Sequence, residues 1–150
     1  MQIEDFFENV FDAYKKYIES NSSYGVKVFK FYNDDSPYLP TTICGLSNNA
    51  DTNESTIDKI EYYEAFYFTI THYAKDKTIQ ETIDDKVVSK RVSAKIINDE
   101  TRKLTISFFK NLNMRKTLDR PIPNLDKSIL RNRMQYQCYV GNARIDIIRR

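Results

Sequence analysis

The chain has 150 residues, 41% of them hydrophobic, which is enough for one sizeable core, so we expect a single domain over residues 1–150. Its 23 basic and 21 acidic residues leave a net charge of +2, too small to imply a nucleic-acid partner by itself. No run approaches the roughly 20 apolar residues of a membrane span, and the acidic N-terminus is unlike a secretory signal, so we expect a cytosolic protein without a membrane partner.

Hydrophobic residues near the N-terminus recur at three- and four-residue steps, which predicts an amphipathic helix from about residue 2 to 20. Acidic residues in its first turn and lysines near its end suit the helix dipole. The apolar stripe consists of Ile3, Phe6, Phe7, Val10, Phe11, Tyr14 and Ile18.

Two short strands and a loop are predicted next. Residues 25–32 have strand composition, but their alternation of apolar and basic residues reverses parity once. A β-bulge at Val28 and Phe29 restores one apolar face and leaves both lysines on the other. Residues 41–46 predict a second strand, and the polar residues 47–56 predict a mobile loop.

Residues 58–74 show the longest alternating pattern in the chain and predict a strand. Because this length exceeds that of an average strand, we expect it to bend or to project as an arm. One face carries Ile60, Tyr62, Phe66, Phe68 and Ile70; the other carries Glu61, Tyr63, Tyr67, Thr69, Thr71 and Tyr73. A lone domain would leave the tyrosines of the second face in water.

A second long helix is predicted over residues 88–113, with Asp84 and Asp85 as its N-terminal cap. Its apolar positions are Val92, Ile96 or Ile97, Leu104, Phe108 and Leu112. The alternation of Leu104, Ile106 and Phe108 leaves open a shorter helix followed by a strand. Residues 110–120 are basic, and the prolines of residues 121–124 predict an extended crossing.

The last eighteen residues, 133–150, predict a β-hairpin around a turn at Gly141 and Asn142. In that register Val140 faces Ala143, Cys138 faces Ile145 and Tyr136 faces Ile147, all on one buried face, and Arg149 and Arg150 end the hairpin. The elements together predict an α+β fold: a mixed or antiparallel β-sheet with an N-terminal helix and a second long helix, closing with a C-terminal β-hairpin.

Few residues suit catalysis or metal binding. His72 is the single histidine, and its place on an apolar strand face favours a structural role. Cys44 and Cys138 lie far apart, outside any ligand spacing, and are expected to be reduced. The chain contains no nucleophile elbow and no glycine-rich phosphate loop. We therefore predict no catalytic residue, no cofactor and no metal.

Two charged regions are candidates for binding. The acids Glu81, Asp84 and Asp85 would suit a paired-acid site, but acids before a helix more often form a solvated cap. The basic set fits either a solvated surface or an anionic partner, which is a nucleic acid or an acidic protein face; it consists of Lys110, Arg115, Lys116, Arg120, Lys127, Arg131 and Arg133. No aromatic residues interleave with the first four, which disfavours base stacking.

One stretch resembles a known family. Residues 121–131, which begin Pro-Ile-Pro-Asn-Leu-Asp, then Tyr136, Gln137, Cys138, Tyr139 and Val140 and the closing Arg149 and Arg150, are similar to the small neck and tail-completion proteins of long-tailed bacteriophages. The similarity covers nearly the whole chain in element order and about the last thirty positions by residue. It implies a tail terminator: a hexameric ring that caps the tail tube and joins it to the head.

The resemblance implies a virion protein of the tail or neck, assembled in the host bacterial cytoplasm. Its expected partners are copies of itself, the tail tube protein and the neck or head connector proteins, with DNA only as passing cargo. The candidate interface residues are Tyr63, Tyr67, Tyr73, Glu81, Asp84, Asp85, Arg115, Lys116, Arg120, Arg149 and Arg150. The alternatives are a head-side neck connector or head completion protein, a nucleic-acid-binding phage accessory protein, and a small enzyme.

Overall fold

A computed structural model of the chain describes residues 3–30, 39–48, 54–55 and 62–141. The fold is α+β, as predicted, with an N-terminal helix, a second long helix, a mixed sheet and a C-terminal strand. Its elements in chain order are α1 Ile3–Asn21, β1 Lys27–Lys30, β2 Thr41–Asn48, β3 Glu54–Ser55, β4 Tyr62–Lys75, β5 Lys77–Ile83, β6 Lys86–Val92, α2 Ala94–Lys110, β7 Arg115–Ile122 and β8 Ile129–Gly141. No helix in the described ranges is long and apolar enough to cross a membrane.

The main sheet is built around β4 and has the strand order β1-β2-β4-β8-β7, with β3 paired beside β4. Strands β1 and β2 are parallel, and the other neighbouring pairs are antiparallel. The long β4–β8 pairing runs from Tyr63 opposite Gly141 to Lys75 opposite Ile129. Strands β5 and β6 form a separate two-stranded antiparallel hairpin.

Both helices pack on one face of this sheet, which we call the inner face. Its side chains alternate along each strand, as the period of two requires, and include Val28, Thr42, Cys44, Phe66, Phe68, Ile70, His72, Met134, Tyr136 and Cys138, all buried. Phe7 of α1 stacks on Phe68 with the ring centroids 5.3 Å apart, and Phe109 of α2 stacks on Tyr136 at 4.2 Å. These stacked rings join each helix to the sheet.

The predicted N-terminal helix is confirmed. Its apolar stripe faces the core: Phe7, Val10, Phe11, Tyr14 and Ile18 are buried, and Phe6 is half-buried against the edge of the Phe68 ring. The predicted inner face of the long strand is also confirmed where side chains are described, since Phe66, Phe68 and Ile70 are buried together.

A polar cluster lies inside the core and connects both helices to three strands. His72 of β4 contacts Thr42 of β2 through Nδ1 (2.8 Å to Oγ1) and contacts Thr105 of α2 through Nε2 (3.5 Å to Oγ1). The Thr105 hydroxyl donates to the Thr101 carbonyl at 2.8 Å and lies 2.7 Å from the Tyr14 hydroxyl of α1. Met134 Sδ of β8 lies 3.3 Å from His72 Nε2.

This pattern of hydrogen bonds assigns the donors. Because the Thr105 hydroxyl donates to a carbonyl, its oxygen accepts the proton of the Tyr14 hydroxyl. His72 then presents Nε2–H towards Thr105 and Met134, and its Nδ1 accepts from the Thr42 hydroxyl. His72 therefore fits its buried place as a neutral imidazole.

The bulge predicted in the first strand is wrong. The parallel pairing of β1 with β2 runs without a shift from Lys27 opposite Thr41 to Lys30 opposite Cys44. Lys30 instead takes an inner-face position, and its ammonium group reaches out of the core to pair with Glu8 and lie over the Phe11 ring. A lysine whose stem packs on apolar surface while its charge reaches a partner explains the reversed alternation.

The segment before the second helix is also corrected. Asp84 and Asp85 do not cap a helix: they form the two-residue turn of the β5–β6 hairpin, with positive φ angles of 51° and 63°. The helix begins at Ala94, where the Ser93 side chain accepts a hydrogen bond from the Ile96 N–H. Val88 and Val92, which the helical spacing includes, are strand residues.

The open choice over residues 88–113 is decided in favour of one helix, Ala94–Lys110. Its buried stripe consists of Ala94, Ile97, Asn98, Thr101, Thr105 and Phe109. Three of these six residues are polar, so hydrophobic spacing alone places the buried face one position away, at Phe108 instead of Phe109. The remainder of the basic region is the edge strand β7, which includes Pro121 and Ile122 of the predicted crossing.

The C-terminal prediction is confirmed for the first strand of the predicted hairpin. Tyr136 and Cys138 point inward from β8 and are buried, whereas residues 142–150, which include Arg149 and Arg150, lie outside the described residues. The predicted pairing of Tyr136 with Ile147 is wrong, because Phe68 of β4 and Lys116 of β7 already occupy both edges of Tyr136. The hairpin that the structure describes at this strand is β7–β8.

Two further predictions concern residues 47–75. Most of the predicted loop, residues 47–56, lies outside the described residues, while Ser47 and Asn48 belong to β2 and Glu54–Ser55 forms β3. The prediction that the long strand itself projects is wrong over its described length, since β8 pairs with it from Tyr63 to Lys75. The projecting element is the β5–β6 hairpin that follows, which we call the arm.

His72 predicts an acid-sensitive stability. Burial lowers the pKa of His72 to about 4, with Asp119 acting in the opposite direction. In the unfolded chain the imidazole takes up its proton near the ordinary histidine pKa of 6.5, so stability is complete above that pH and is lost as pH falls towards 4. The loss through this group is on the order of 3 kcal/mol.

The measurement is the free energy of unfolding in urea from pH 7.5 to 4, for wild type and for His72→Gln. The variant is expected to be less stable at pH 7 but to show a flatter pH dependence between 6.5 and 4. Carboxylates titrate in both proteins and cancel in the difference. Parallel curves would show that His72 is not held neutral in the core.

Cys138 predicts a large cost for a buried charge. It is fully buried on the inner face, and burial raises the pKa of its thiol to about 12. Cys138→Asp is expected to lower the free energy of unfolding by several kcal/mol because the carboxylate has no described partner there. The control is Gln135→Asp on the opposite face of β8, expected to cost about 1 kcal/mol or less. Equal costs for the two variants would contradict the assignment of the faces.

Candidate functional site

The arm carries an exposed apolar surface. Every residue from Thr82 to Arg91 is exposed, including Ile83 at 52%, Val87 at 66% and Val88 at 44%. A two-stranded hairpin in water is marginally stable by itself, since neither face is covered. The exposed apolar side chains therefore mark the arm as a surface suited to a partner.

The pairing register sorts the arm into two faces. Directly paired residues share a face, so Ile79, Ile83 and Val88 lie on one side, continuous with Val92, which is buried in the core. The other side carries polar residues and one valine: Thr78, Gln80, Thr82, Val87, Ser89 and Arg91. The first side also carries the charged residues Lys77, Glu81, Lys86 and Lys90, and the apolar side chains between them form an apolar stripe that runs from the core towards the tip of the arm.

The base of the arm is fixed to the body. Lys77 Nζ donates to the Tyr24 carbonyl at 2.8 Å. Asp76 accepts hydrogen bonds from the Ala94 N–H at 2.8 Å and from Arg91 at 3.0 Å, and these contacts hold its pKa below the usual value. Asp76 thereby ties the start of α2 to both strands of the arm.

The tip of the arm is acidic. Asp84 and Asp85 are exposed, and no hydrogen bond or ion pair to another described residue engages them. Both adopt the left-handed conformation that a two-residue hairpin turn of this kind requires, which aspartate tolerates better than most residues. Glu81 lies further down the arm, 3.9 Å from Lys90.

All five large apolar side chains that are exposed in the described part of the chain lie at one end of the fold. Three are on the arm, which follows the end of β4; Ile96 is in the first turn of α2, and Leu125 is in the β7–β8 loop. The antiparallel register places these segments at the same end of the sheet, where Lys75 is opposite Ile129. We call this end the arm end.

The second candidate surface is the outer face of the main sheet, opposite the helices. By register it carries six cations: Lys27, Lys75, Arg115, Arg120, Arg131 and Arg133. The register of β3 also places one acidic residue, Glu54, at an outer-face position opposite Tyr63. Tyr67, Thr69 and Tyr73 lie among the cations, half-buried. This face is positively charged although the whole chain is nearly neutral.

Three arginines are adjacent on the outer face. Arg120 of β7 lies directly opposite Arg133 of β8, and Arg131 is two residues from Arg133 on the same face. The Nε atoms of Arg131 and Arg133 are shielded from water and have no hydrogen-bond partner among the described residues. The guanidinium carbon of Arg131 lies 5.5 Å from the centre of the Tyr73 ring. We call Arg120, Arg131 and Arg133 the arginine row.

The structure separates the predicted interface residues into groups. Glu81, Asp84 and Asp85 are on the arm, and Tyr67, Tyr73, Arg115 and Arg120 are on the outer face. Tyr67 accepts a hydrogen bond from Gln137 at 3.2 Å. Tyr63 is in β4 beyond the described side chains, and Arg149 and Arg150 are outside the described residues.

Lys116 does not belong with the outer-face cations. It is paired with Tyr136, an inner-face residue, and its Nζ lies 3.4 Å from Asp119 Oδ2. Arg102 of α2 donates to the same carboxylate at 2.6 Å. Despite the burial of Asp119, the hydrogen bonds from Asn132 and Arg102 hold its pKa below the usual value. Lys116 therefore has a structural partner in its own chain.

Sequence reasoning misses the apolar residues of the arm. Ile83, Val87 and Val88 flank the Asp84 and Asp85 pair, and two strand-like runs around two consecutive aspartates are a hairpin pattern. Interpreting the aspartates as a helix cap instead assigns the valines to the helix and hides that pattern.

The reactive side chains of the described chain lie in the core. His72 contacts Thr42, Thr105 and Met134, while Cys44 and Cys138 are unpaired and buried. No group of three or more histidine, cysteine or acidic residues with metal-binding geometry occurs in the part of the chain that the structure describes. That His72 and both cysteines lack a catalytic or metal role stays a prediction.

Comparison with protein-family models and with curated proteins adds no relative to these observations. No family model matches the chain, and the curated proteins contain no match to it.

Proposed function

We propose that the protein is a ring-forming structural component of the tail of a long-tailed bacteriophage, the terminator that caps the tail tube and joins it to the head. The observation that carries this proposal is the presence of two unlike surfaces on one subunit: the apolar, acid-tipped arm and the basic outer face. A ring built from head-to-tail contacts needs two different complementary patches. Catalysis by an enzyme requires neither of these two surfaces.

The position of residues 121–131, one of the two described parts of the family resemblance, supports this proposal; the other part, residues 136–138, is buried in β8. Residues 121–131 lie at the end of β7, in the β7–β8 loop and at the start of β8, which is the arm end of the fold. Leu125 in that loop is completely exposed. The resembling stretch thus supplies surface beside the arm, where a contact with another protein would use it.

The charge distribution also favours a ring. A ring that passes DNA through its centre functions best without a strongly attractive basic wall. Subunit contacts that cover the outer face would remove its six cations from the lumen and leave the remainder of the chain, which is net acidic. In this proposal the partners are further copies of the chain in a closed hexamer, then the tube protein and the neck or head connector.

A second candidate function is a nucleic-acid-binding accessory protein of the phage. The basic outer face with Tyr67 and Tyr73 favours it, because cations beside aromatic rings on an open sheet suit a single strand. The exposed apolar stripe on the arm has no role in that function. A head-side neck connector shares the ring but would bind heads instead of tubes.

The apolar stripe predicts a specific effect on assembly. Ile83→Thr with Val88→Thr is expected to weaken self-association at least roughly tenfold per contact, because it removes apolar surface that the contact buries. The melting temperature should change little, since both side chains are exposed. The measurement is sedimentation of the ring over a concentration series.

The matched control is Val87→Thr, an equally conservative change on the other side of the arm. It should leave the ring intact. If Val87→Thr disrupts assembly as strongly as the stripe variant, the apolar stripe is not the contact.

Tube growth tests the terminator role directly. Purified protein mixed with assembling tube protein is expected to shorten the tubes, with rings visible at their ends in electron micrographs. Tyr67→Lys, which adds a seventh cation to the outer face, should reduce this effect. Unrestrained tubes together with binding to heads would indicate a head-side connector, and salt-sensitive DNA binding without rings would indicate the accessory protein.

A further inference from the structure

We infer that the ring contact seats the acidic arm tip of one copy on the arginine row of the next copy. This inference rests on the proposed function, since it specifies the contact that closes the ring. Its two sides are Asp84 and Asp85 on the arm and Arg120, Arg131 and Arg133 on the outer face.

The arginine row brings like charges together. Arg120 and Arg133 are directly opposite each other, an arrangement in which like charges destabilise a sheet. The Nε atoms of Arg131 and Arg133 are withdrawn from water without a hydrogen-bond partner among the described residues, and an unmet donor of this kind costs free energy. A carboxylate placed beside the guanidinium groups would offset the repulsion between Arg120 and Arg133.

The arm tip supplies carboxylates in a fixed position. The turn holds Asp84 and Asp85 side by side at the far end of seven-residue strand β5, roughly 20 Å from the base of the arm. Neither side chain is engaged by the rest of the described chain. Because the base of the arm is tied down through Asp76 and Lys77, the arm leaves the body from a fixed point.

Apolar surface accompanies the charges on both sides. Ile83 is next to the tip, and Val88 follows it along the stripe. On the outer face, Leu118 and Ile122 are half-buried on β7, on either side of Arg120. The carboxylates of the tip, which lie between Ile83 and Lys86, therefore have apolar surface on one side to match the apolar side chains beside Arg120.

This match favours a second copy over DNA as the occupant. Phosphates would satisfy the arginine row, but DNA offers nothing for the apolar stripe and repels the acidic tip. A second copy supplies the acid and the apolar surface from one element. Since the arm and the row are different patches, the contact is head-to-tail, and each subunit uses both.

The test is a double-mutant cycle on the full chain. The arm variant is Asp84→Asn with Asp85→Asn, chosen because asparagine also tolerates the left-handed turn. The face variant is Arg131→Gln with Arg133→Gln. Each is expected to raise the concentration needed for ring formation at least roughly tenfold at low salt. The combined variant should need a concentration for ring formation little higher than that of the more damaging of the two single sets, because both sets remove the same contact.

Charge-matched controls separate this contact from net charge. Asp5→Asn with Asp12→Asn changes two exposed acids of α1, and Lys16→Gln with Lys103→Gln changes two exposed bases of α1 and α2 that lie outside the basic candidate set. Both controls should assemble as wild type does. Melting temperatures of all variants show whether each one folds.

Mixing the two variants gives the sharpest result. Each mixed pair retains one intact contact, the wild-type arm of the face variant on the wild-type row of the arm variant. The mixture is therefore expected to form heterodimers without closed rings, at a concentration at which neither variant dimerises alone.

Three outcomes would overturn the inference alone. Rings that survive both variants show that the contact lies elsewhere on the subunit. Losses that multiply in the combined variant show that the arm and the row act independently. Rings that survive the face variant while binding to a DNA oligonucleotide is lost assign the row to nucleic acid. A wild-type protein that stays monomeric and leaves tubes unrestrained contradicts the proposed function as well.

Discussion

The fold depends on the buried hydrogen bonds around His72. An imidazole in an apolar interior is tolerated only when its two nitrogens find partners, and here they are on β2, α2 and β8. Thr105 passes the connection on to Tyr14, so α1 is held through the same group. Apolar contacts would allow the helices to slide across the sheet, whereas hydrogen bonds of fixed length permit one position. The stacked rings of Phe7 on Phe68 and Phe109 on Tyr136 then fill the space that this position defines.

Sequence periodicity predicts the elements that have one buried face and one solvent-exposed face. The stripe of α1 and the alternation of Phe66, Phe68 and Ile70 in β4 follow directly from burial on one side. Periodicity fails where polar residues are buried or where a charged residue takes an inner-face position. Thr101 and Thr105 are buried because they hydrogen-bond within the core, and Lys30 takes an inner position because its charge reaches Glu8. The order of strands in the sheet, set by contacts distant in sequence, has no local pattern.

The sequence predicts which charged residues the candidate surfaces contain, and it does not predict which of them lie side by side. The acids of the arm and the arginines of the outer face are both apparent in the chain, and the assignment of each to a patch needs the register of β7 with β8. The arm is missed for a physical reason: it has no buried face over most of its length, so Glu81, Lys86 and Lys90 share a face with its apolar residues and obscure the alternation that identifies ordinary strands. A segment with this composition keeps one conformation only when contacts with the rest of the protein hold it. The contacts of Asp76 and Lys77 at the base of the arm do so in part.

The edges of the main sheet are closed to further strands. At the β1 edge, Lys15 donates to the Val28 carbonyl at 2.9 Å, and Glu19 accepts from the Val28 N–H at 3.0 Å. Burial opposes the charge of Glu19, but the hydrogen bonds from Lys15 and Val28 hold its pKa below the usual value. At the other edge, β7 contains Pro121 and an irregular register between Lys116 and Leu118. Backbone pairing between the main sheets of two copies is therefore opposed at both described edges, so concentrating the protein should not join main sheets edge to edge into cross-β fibres.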